Sequence, residues 1–135
     1  MRNTAQVVNT SAAMMLLGLG MLISSAIAQA GGQAPSAQSC KDNPPKDTVT
    51  QGGCLVVDRT KGNCMACHQI AGVTSGNVAI KLEDMAQRWP DKAKLRAQIW
   101  DASQANPNTV MPPFGRHQIL SGDEIDKVVE FILSL

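Results

Sequence analysis

The sequence is short of aromatic side chains and lacks charged runs. None of its 135 residues is tyrosine, and the aromatic residues are two tryptophans and two phenylalanines. Charges nearly balance, with 12 Lys and Arg against 11 Asp and Glu. A nucleic-acid partner is not expected, because such partners are bound through clustered basic side chains. So few large side chains also predict a thin core, which a bound apolar group would fill.

The N-terminal segment has the composition of a secretory leader. Residues 12–23 form an uncharged run of small and aliphatic side chains that is too short to span a bilayer. Ala26-Ile27-Ala28 fits an A-x-A cleavage site, and residues 28–30 offer a second choice. We expect a signal peptide over residues 1–28, periplasmic export and no membrane attachment after cleavage. An uncleaved N-terminal anchor is the alternative.

Cleavage after Ala28 would leave 107 residues, which is the length of one domain. Residues 29–46 are rich in Gly, Ala, Ser, Gln and Pro and predict a flexible N-terminal arm, whereas residues 47–135 predict the folded domain. Cys40 lies in the arm and Cys54 just beyond it. In an oxidising compartment these two thiols suggest a disulfide, either with each other or from one of them to a partner subunit.

The most informative stretch is Cys64-Met65-Ala66-Cys67-His68, which reads C-x-x-C-H, the attachment motif of a c-type haem. The thiols of Cys64 and Cys67 can add to the two haem vinyl groups, and His68 can place a ring nitrogen on the iron. A structural zinc site would need four protein ligands, and a thioredoxin-like site would need alternating strands and helices. The sequence offers neither pattern.

A second stretch, residues 106–115, holds three prolines and one methionine. Prolines fix their backbone angles and exclude a regular helix or a central strand, so a stiff loop would hold Met111 in a fixed direction. Its thioether is a suitable second axial ligand for haem iron. His117 is the rival ligand, an open sixth position is a third possibility, and Met111 could also be an ordinary packing residue.

Helical patterns fill much of the remaining chain. Asp47 or Thr48, Asp91 and Ser121 are candidate caps, and Ser121 with Glu124 forms a capping box. The last pattern has one apolar face made of Ile125, Val128, Val129, Ile132 and Leu133. The sequence predicts helices over Asp47–Lys61, Lys81–Arg88, Asp91–Ala102 and Ser121–Leu135.

The order of an N-terminal helix, C-x-x-C-H, further helices, a Met-Pro loop and a C-terminal helix resembles class I cytochrome c. The resemblance implies an all-α fold whose N- and C-terminal helices cross around one covalently attached haem. It would pack Gly52 or Gly53 of the first helix, with Val57, against the last helix at Val128, Phe131 and Ile132.

The flanks of the C-x-x-C-H motif, the Met-Pro loop and the C-terminal helix narrow the resemblance to SoxX, the monohaem subunit of SoxAX cytochromes, over residues 52–135. That implies a periplasmic heterodimer with a SoxA-like dihaem or monohaem subunit, where catalysis lies. The complex joins thiosulfate oxidatively to a carrier-protein cysteine, as an L-cysteine S-thiosulfotransferase. This chain would bring the haem held by Cys64 and Cys67, with His68 and Met111 as axial ligands, and pass electrons to a soluble cytochrome c.

Two other functions stay open on the sequence alone. The first is a free-standing periplasmic cytochrome c that shuttles electrons between unrelated redox proteins. The second is a haem protein whose sixth ligand dissociates to allow peroxidase-like chemistry, although the stiff double-proline loop argues against it. No Ser/His/Asp constellation that would catalyse by itself is present in the sequence.

Overall fold

The computed structural model describes residues 32–135. Within this range lie five α-helices, Ala37–Asp42 (α1), Thr48–Val57 (α2), Met85–Arg88 (α3), Lys92–Trp100 (α4) and Gly122–Leu133 (α5), and two short 3₁₀ turns, Cys64–Ala66 and Ala102–Gln104. Residues 32–135 contain no strand, so the predicted all-α fold is confirmed. None of the helices in this range is long and apolar enough to cross a membrane. The predicted signal peptide over residues 1–28 lies outside the described residues.

All four predicted helices are present, but each is shorter than its pattern. Asp47 and Asp91 are N-caps, as predicted, and accept hydrogen bonds from N–H groups of the first turn. The helix predicted over Lys81–Arg88 begins only at Met85, because Asp84 has a left-handed backbone with φ of 52°. Such a residue cannot lie inside a right-handed helix, and hydropathy spacing does not reveal it.

The composition predicts a flexible arm over residues 29–46, but part of that stretch is folded. Ser36 caps α1 by accepting the Ser39 N–H at 3.0 Å. Ala34 is buried and its N–H donates to the Ala71 carbonyl at 2.8 Å. A disulfide between Cys40 and Cys54 then joins α1 to α2. Composition alone underestimated the order of this segment, because a cap and a covalent link can hold a polar segment on the domain.

Helices α2 and α5 pack so closely that there is no room for a side chain at Gly52 or Gly53 of α2. A Cβ added to Gly52 would overlap the main-chain carbonyl of Lys127, and one on Gly53 would lie 3.0 Å from the Phe131 ring. Both glycines are buried. The predicted contact of these glycines with the last helix is therefore confirmed, and the two helices form the centre of the fold.

The apolar face of α5 completes the core. Its buried side chains are Ile125, Val128, Val129, Phe131 and Ile132. Leu133, the remaining residue of the predicted face, is only half-buried. On the opposite side, ion pairs join α5 to α4: Lys92 pairs with Glu130, and Arg96 Nε lies 2.6 Å from Asp126 Oδ1. Thus one face of α5 packs in the apolar core, and the other carries solvent-exposed charges.

The start of α5 is fixed by the predicted capping box. Ser121 Oγ accepts the Glu124 N–H at 3.2 Å, and Glu124 Oε2 accepts the Ser121 N–H at 2.9 Å. Glu124 Oε1 also accepts from Lys61 Nζ at 2.7 Å, which ties α5 to the turn after α2. Hydrogen bonds from Lys61 and from the Ser121 backbone hold the pKa of Glu124 below its usual range.

We predict that Gly52→Ala lowers the free energy of unfolding by about 3 kcal/mol, because the added methyl meets a main-chain carbonyl that cannot rotate away. Denaturant titration followed by helical circular dichroism measures this loss. Gly122→Ala is the matched control, since its Cβ would lie 3.6 Å from Arg96 Nη2, an ordinary contact. Equal stability of the two variants would contradict the close packing of α2 on α5.

A second prediction concerns pH. The Glu124 carboxylate stabilises the fold above its ordinary pKa of 4.5, and this contribution is lost as the pH falls through the lowered folded value. We expect Glu124→Gln to lower the free energy of unfolding by about 1 kcal/mol at neutral pH. In acid, the variant and the wild type should have the same free energy of unfolding. Denaturant titrations over a pH series test this. Asp123→Asn, in the same first turn, is the matched control for loss of a charge without loss of the hydrogen bonds from Lys61 and Ser121. A pH-independent difference between Glu124→Gln and the wild type would refute the role of the charge.

Candidate functional site

The C-x-x-C-H stretch forms a single 3₁₀ turn over Cys64–Ala66. The turn follows Asn63, whose left-handed backbone has φ of 45°, and its carbonyl accepts the Ala66 N–H at 3.0 Å. The Cys64 carbonyl accepts the N–H groups of Cys67 at 3.2 Å and His68 at 3.0 Å. Residues three apart in a 3₁₀ turn are eclipsed, so the backbone brings both cysteines to the same side.

The imidazole of His68 is oriented by one main-chain group. Its Nδ1 lies 2.7 Å from the carbonyl oxygen of Ile80. Because a carbonyl can only accept, Nδ1 carries the proton and donates it, which leaves the lone pair on Nε2. Ligating histidines in metal sites are typically held in this way, with the other ring N–H bound to a carbonyl or carboxylate.

The loop that supplies the Ile80 carbonyl is itself fastened to the motif. Gly76 N–H donates to the Met65 carbonyl at 2.8 Å, and Val78 N–H donates to the Cys67 carbonyl at 3.0 Å. A Cβ on Gly76 would overlap a main-chain carbonyl of the 3₁₀ turn, so this close approach requires glycine. The orientation of the histidine ring is thus built into the backbone.

Cys64, Cys67 and His68 line a cleft of about 440 Å³. This size lies within the range of small-molecule and cofactor sites, roughly 300–1,000 Å³. Few of its lining side chains are polar; Gln98 and Thr109 are among them. The apolar walls come mainly from the helices and from the loop before α5: Leu82, Met85, Trp89, Leu95, Ile99, Phe114, Leu120, Val128 and Ile132.

Two methionines also line the cleft. Met111 is half-buried on the proline-rich loop, and its N–H donates to Thr109 Oγ1 at 3.1 Å. Met85 is 2% exposed, and Arg88 Nη1 donates to its sulfur at 3.7 Å. Among the hydrogen bonds of residues 32–135 no such donor meets the Met111 sulfur. His117, the rival ligand predicted from the sequence, is exposed and does not line the cleft.

The four cysteines fall into two groups. Cys40 and Cys54, with Cα atoms 5.7 Å apart, form the disulfide, which is the internal one of the two pairings considered from the sequence. Within residues 32–135, Cys64 and Cys67 are the free thiols. Burial raises the pKa of the Cys64 thiol to about 12. In the same range no three His, Cys, Asp or Glu side chains gather into a metal site, so the zinc alternative gains no support.

The two tryptophans have different roles. Trp89 lines the cleft, whereas Trp100 lies away from it and packs on Gly115, with the Arg96 guanidinium 5.4 Å from its ring centre. Only Trp89 is placed beside the cleft.

The matched family and fold agree with this geometry. The sequence model of the family described as Cytochrome c matches residues 56–135, which is more than half of the chain. The chain belongs to the cytochrome c family. Proteins of this family transfer electrons and bind haem c covalently, so this cytochrome is an electron-transfer protein with haem c as its cofactor.

Comparison with solved structures shows a similar fold. A chain in the crystal structure of SoxXA from P. pantotrophus superposes on this cytochrome with a TM-score of 0.58 and is 23% identical in sequence. The match covers 77% of this chain and 89% of that chain. No protein in the curated collection matches significantly.

The residues of the cleft fit haem c. Two thiols lie on one side of a 3₁₀ turn, the following imidazole has a lone pair on Nε2, and the walls are apolar. When bound, haem c supplies a reversible one-electron couple.

Three groups that contribute to the site were not predicted from the sequence. The Ile80 carbonyl is a main-chain group and leaves no mark in residue type. Met85 reaches the cleft only through tertiary packing. Thr109 had a local signal, since a threonine two residues before a loop N–H can form an ST-turn, as it does with Met111.

Proposed function

We propose that this cytochrome is the SoxX-like electron-transfer subunit of a periplasmic SoxAX complex and carries one haem c. Cys64 and Cys67 hold the haem through thioether bonds, and His68 and Met111 are the axial ligands. The fold likeness to a SoxXA chain, spanning 89% of that chain, is the main support. The Met-Pro loop beside the C-x-x-C-H turn supports it further.

The chain's own residues set the redox properties of the site. Apolar walls from α4, α5 and the loop between them exclude water and lower the local dielectric constant. The Ile80 carbonyl fixes the orientation of the His68 ring and makes its Nε2 a stronger electron-pair donor to a metal. A thioether from Met111 raises the potential above that of a bis-histidine site. With His68 and Met111 both bound to the iron, the haem would offer no open position to substrate, so catalysis would belong to the partner.

The partner in this proposal is a SoxA-like cytochrome, dihaem or monohaem. The complex joins thiosulfate to a carrier-protein cysteine and releases two electrons, which this chain passes on to a soluble cytochrome c. Because Cys40 and Cys54 pair within the chain, we infer that the two subunits associate without an intermolecular disulfide. A signal peptide over residues 1–28 delivers the chain to the periplasm.

We predict that Met111→Leu leaves the haem attached but abolishes the methionine–iron charge-transfer absorption of the oxidised protein and lowers its potential. Optical spectroscopy and a redox titration measure the two effects. Met85→Leu is the matched control, because Met85 also lines the cleft while its sulfur accepts a hydrogen bond from Arg88. This variant should keep the absorption. If Met85→Leu removes the band and Met111→Leu retains it, the ligand is Met85.

The complex itself is tested by reconstitution. The oxidised cytochrome is mixed with a purified SoxA-like subunit, the carrier protein and thiosulfate, and haem reduction is followed optically. We expect reduction only when all components are present, and co-elution of the two cytochromes in denaturant-free buffer. In denaturant without a reductant the subunits should separate. Reduction by unrelated donors, with no stable partner, would instead identify a free-standing electron shuttle.

A further inference from the structure

The loop that carries Met111 begins and ends at the same place in the fold. We call residues 106–115 the methionine loop. At its start, the Ala102 carbonyl accepts the Asn106 N–H at 3.0 Å. At its end, the Trp100 carbonyl accepts the N–H groups of Gly115 at 3.1 Å and Arg116 at 3.4 Å. Both ends therefore meet at the C-terminal end of α4, as in an Ω-loop.

The middle of the methionine loop has few polar ties to the rest of the domain. Among the described residues, the backbone N–H groups of 108, 109 and 111 bond only within the loop: to Asn106 Oδ1, the Asn106 carbonyl and Thr109 Oγ1. Val110, next to Met111, is 86% exposed. The backbone hydrogen bonds that hold the loop on the domain lie at its neck and at the Pro113 and Phe114 carbonyls, which accept the N–H groups of residues 117, 119 and 120. Among the described residues, none is made by residues 108–111.

A buried carboxylate occupies that neck. Asp101 is 4% exposed and lies between Trp100 and Ala102, the two residues whose carbonyls hold the loop ends. Its Oδ1 accepts from Ser103 Oγ at 2.6 Å and its Oδ2 from Gln104 Nε2 at 3.1 Å. These two hydrogen bonds come from residues outside the loop and fix the position of the carboxylate.

The residue directly after the methionine loop binds this carboxylate. Arg116 Nε lies 3.1 Å from Asp101 Oδ2, while the arginine side chain stays half-exposed. The preceding Gly115 packs on the Trp100 ring with no room for a Cβ. The ion pair and the glycine contact together close the neck from the C-terminal side.

We infer that the Asp101–Arg116 ion pair is a clasp that keeps the methionine loop closed and Met111 in place on the iron. Asp101 and Arg116 are positioning residues that act through the loop. This inference rests on the proposed role of Met111 as the axial ligand, and goes beyond it by naming what holds the ligand. Without the clasp, the loop opens more often and an external ligand competes better for the iron.

Imidazole titration of the oxidised holoprotein tests the clasp, because imidazole binds only when Met111 leaves. We expect Arg116→Gln and Asp101→Asn to bind imidazole about fivefold more tightly than the wild type, as for loss of a partly exposed ion pair. Arg116→Lys should recover much of the difference. The double variant should bind no more tightly than the stronger single variant, since both substitutions break the same contact.

Glu130→Gln is the matched control. It breaks a half-exposed ion pair between Glu130 of α5 and Lys92, which lies in the first turn of α4, at the opposite end of that helix from the loop neck. Its imidazole affinity should equal that of the wild type. If it rises as much as in Asp101→Asn, the effect is one of general stability and the clasp is refuted. Arg116→Gln changes a half-exposed side chain, so its result stands even if Asp101→Asn misfolds.

Failure of the clasp and failure of the proposed function give different results. If the wild type shows the methionine–iron absorption and Arg116→Gln binds imidazole with wild-type affinity, only the clasp is wrong. If the wild type lacks that absorption, or Met111→Leu retains it, the ligand assignment is wrong and the clasp role falls with it.

Discussion

The direct contact of helix α2 with helix α5, made through glycines instead of side chains, is the constraint on which the rest of the structure depends. Gly52 and Gly53 let the two backbones meet, with Phe131 of α5 seated on them. On the same helix, Val128 and Ile132 line the cleft. One helix thus serves both as the partner of α2 and as a wall of the cofactor site, so an error in the helix contact would also displace the wall.

The contact of α2 with α5 also determines where the C-x-x-C-H turn lies, through the segment that joins α2 to this turn. The C-x-x-C-H turn begins seven residues after α2 ends, and the connecting segment is held at both sides: Gly62 N–H bonds back to the Leu55 carbonyl at 3.2 Å, and Lys61 reaches Glu124 on α5. The turn then fixes the cysteines, and the loop after it fixes the ring of His68. Each step uses main-chain hydrogen bonds, which define directions more closely than apolar packing does.

Much of this could be predicted from the sequence wherever the determining contacts are local. The caps at Asp47 and Asp91, the Ser121–Glu124 box and the apolar face of α5 all depend on residues within one or two turns, and the structure has them. The predicted start of α3 was wrong because the left-handed backbone at Asp84 has no signature in the hydropathy pattern. The carbonyl that orients His68 lies 12 residues away and belongs to the main chain, so residue types could not identify it.

The most direct test is mass spectrometry of the tryptic peptide that spans residues 62–81, taken from the protein as purified from its native host. We predict that this peptide carries one haem joined to both of its cysteines, and that Cys40 and Cys54 are recovered as a disulfide. Free, alkylatable thiols at Cys64 and Cys67 in that preparation would contradict covalent haem attachment at this turn.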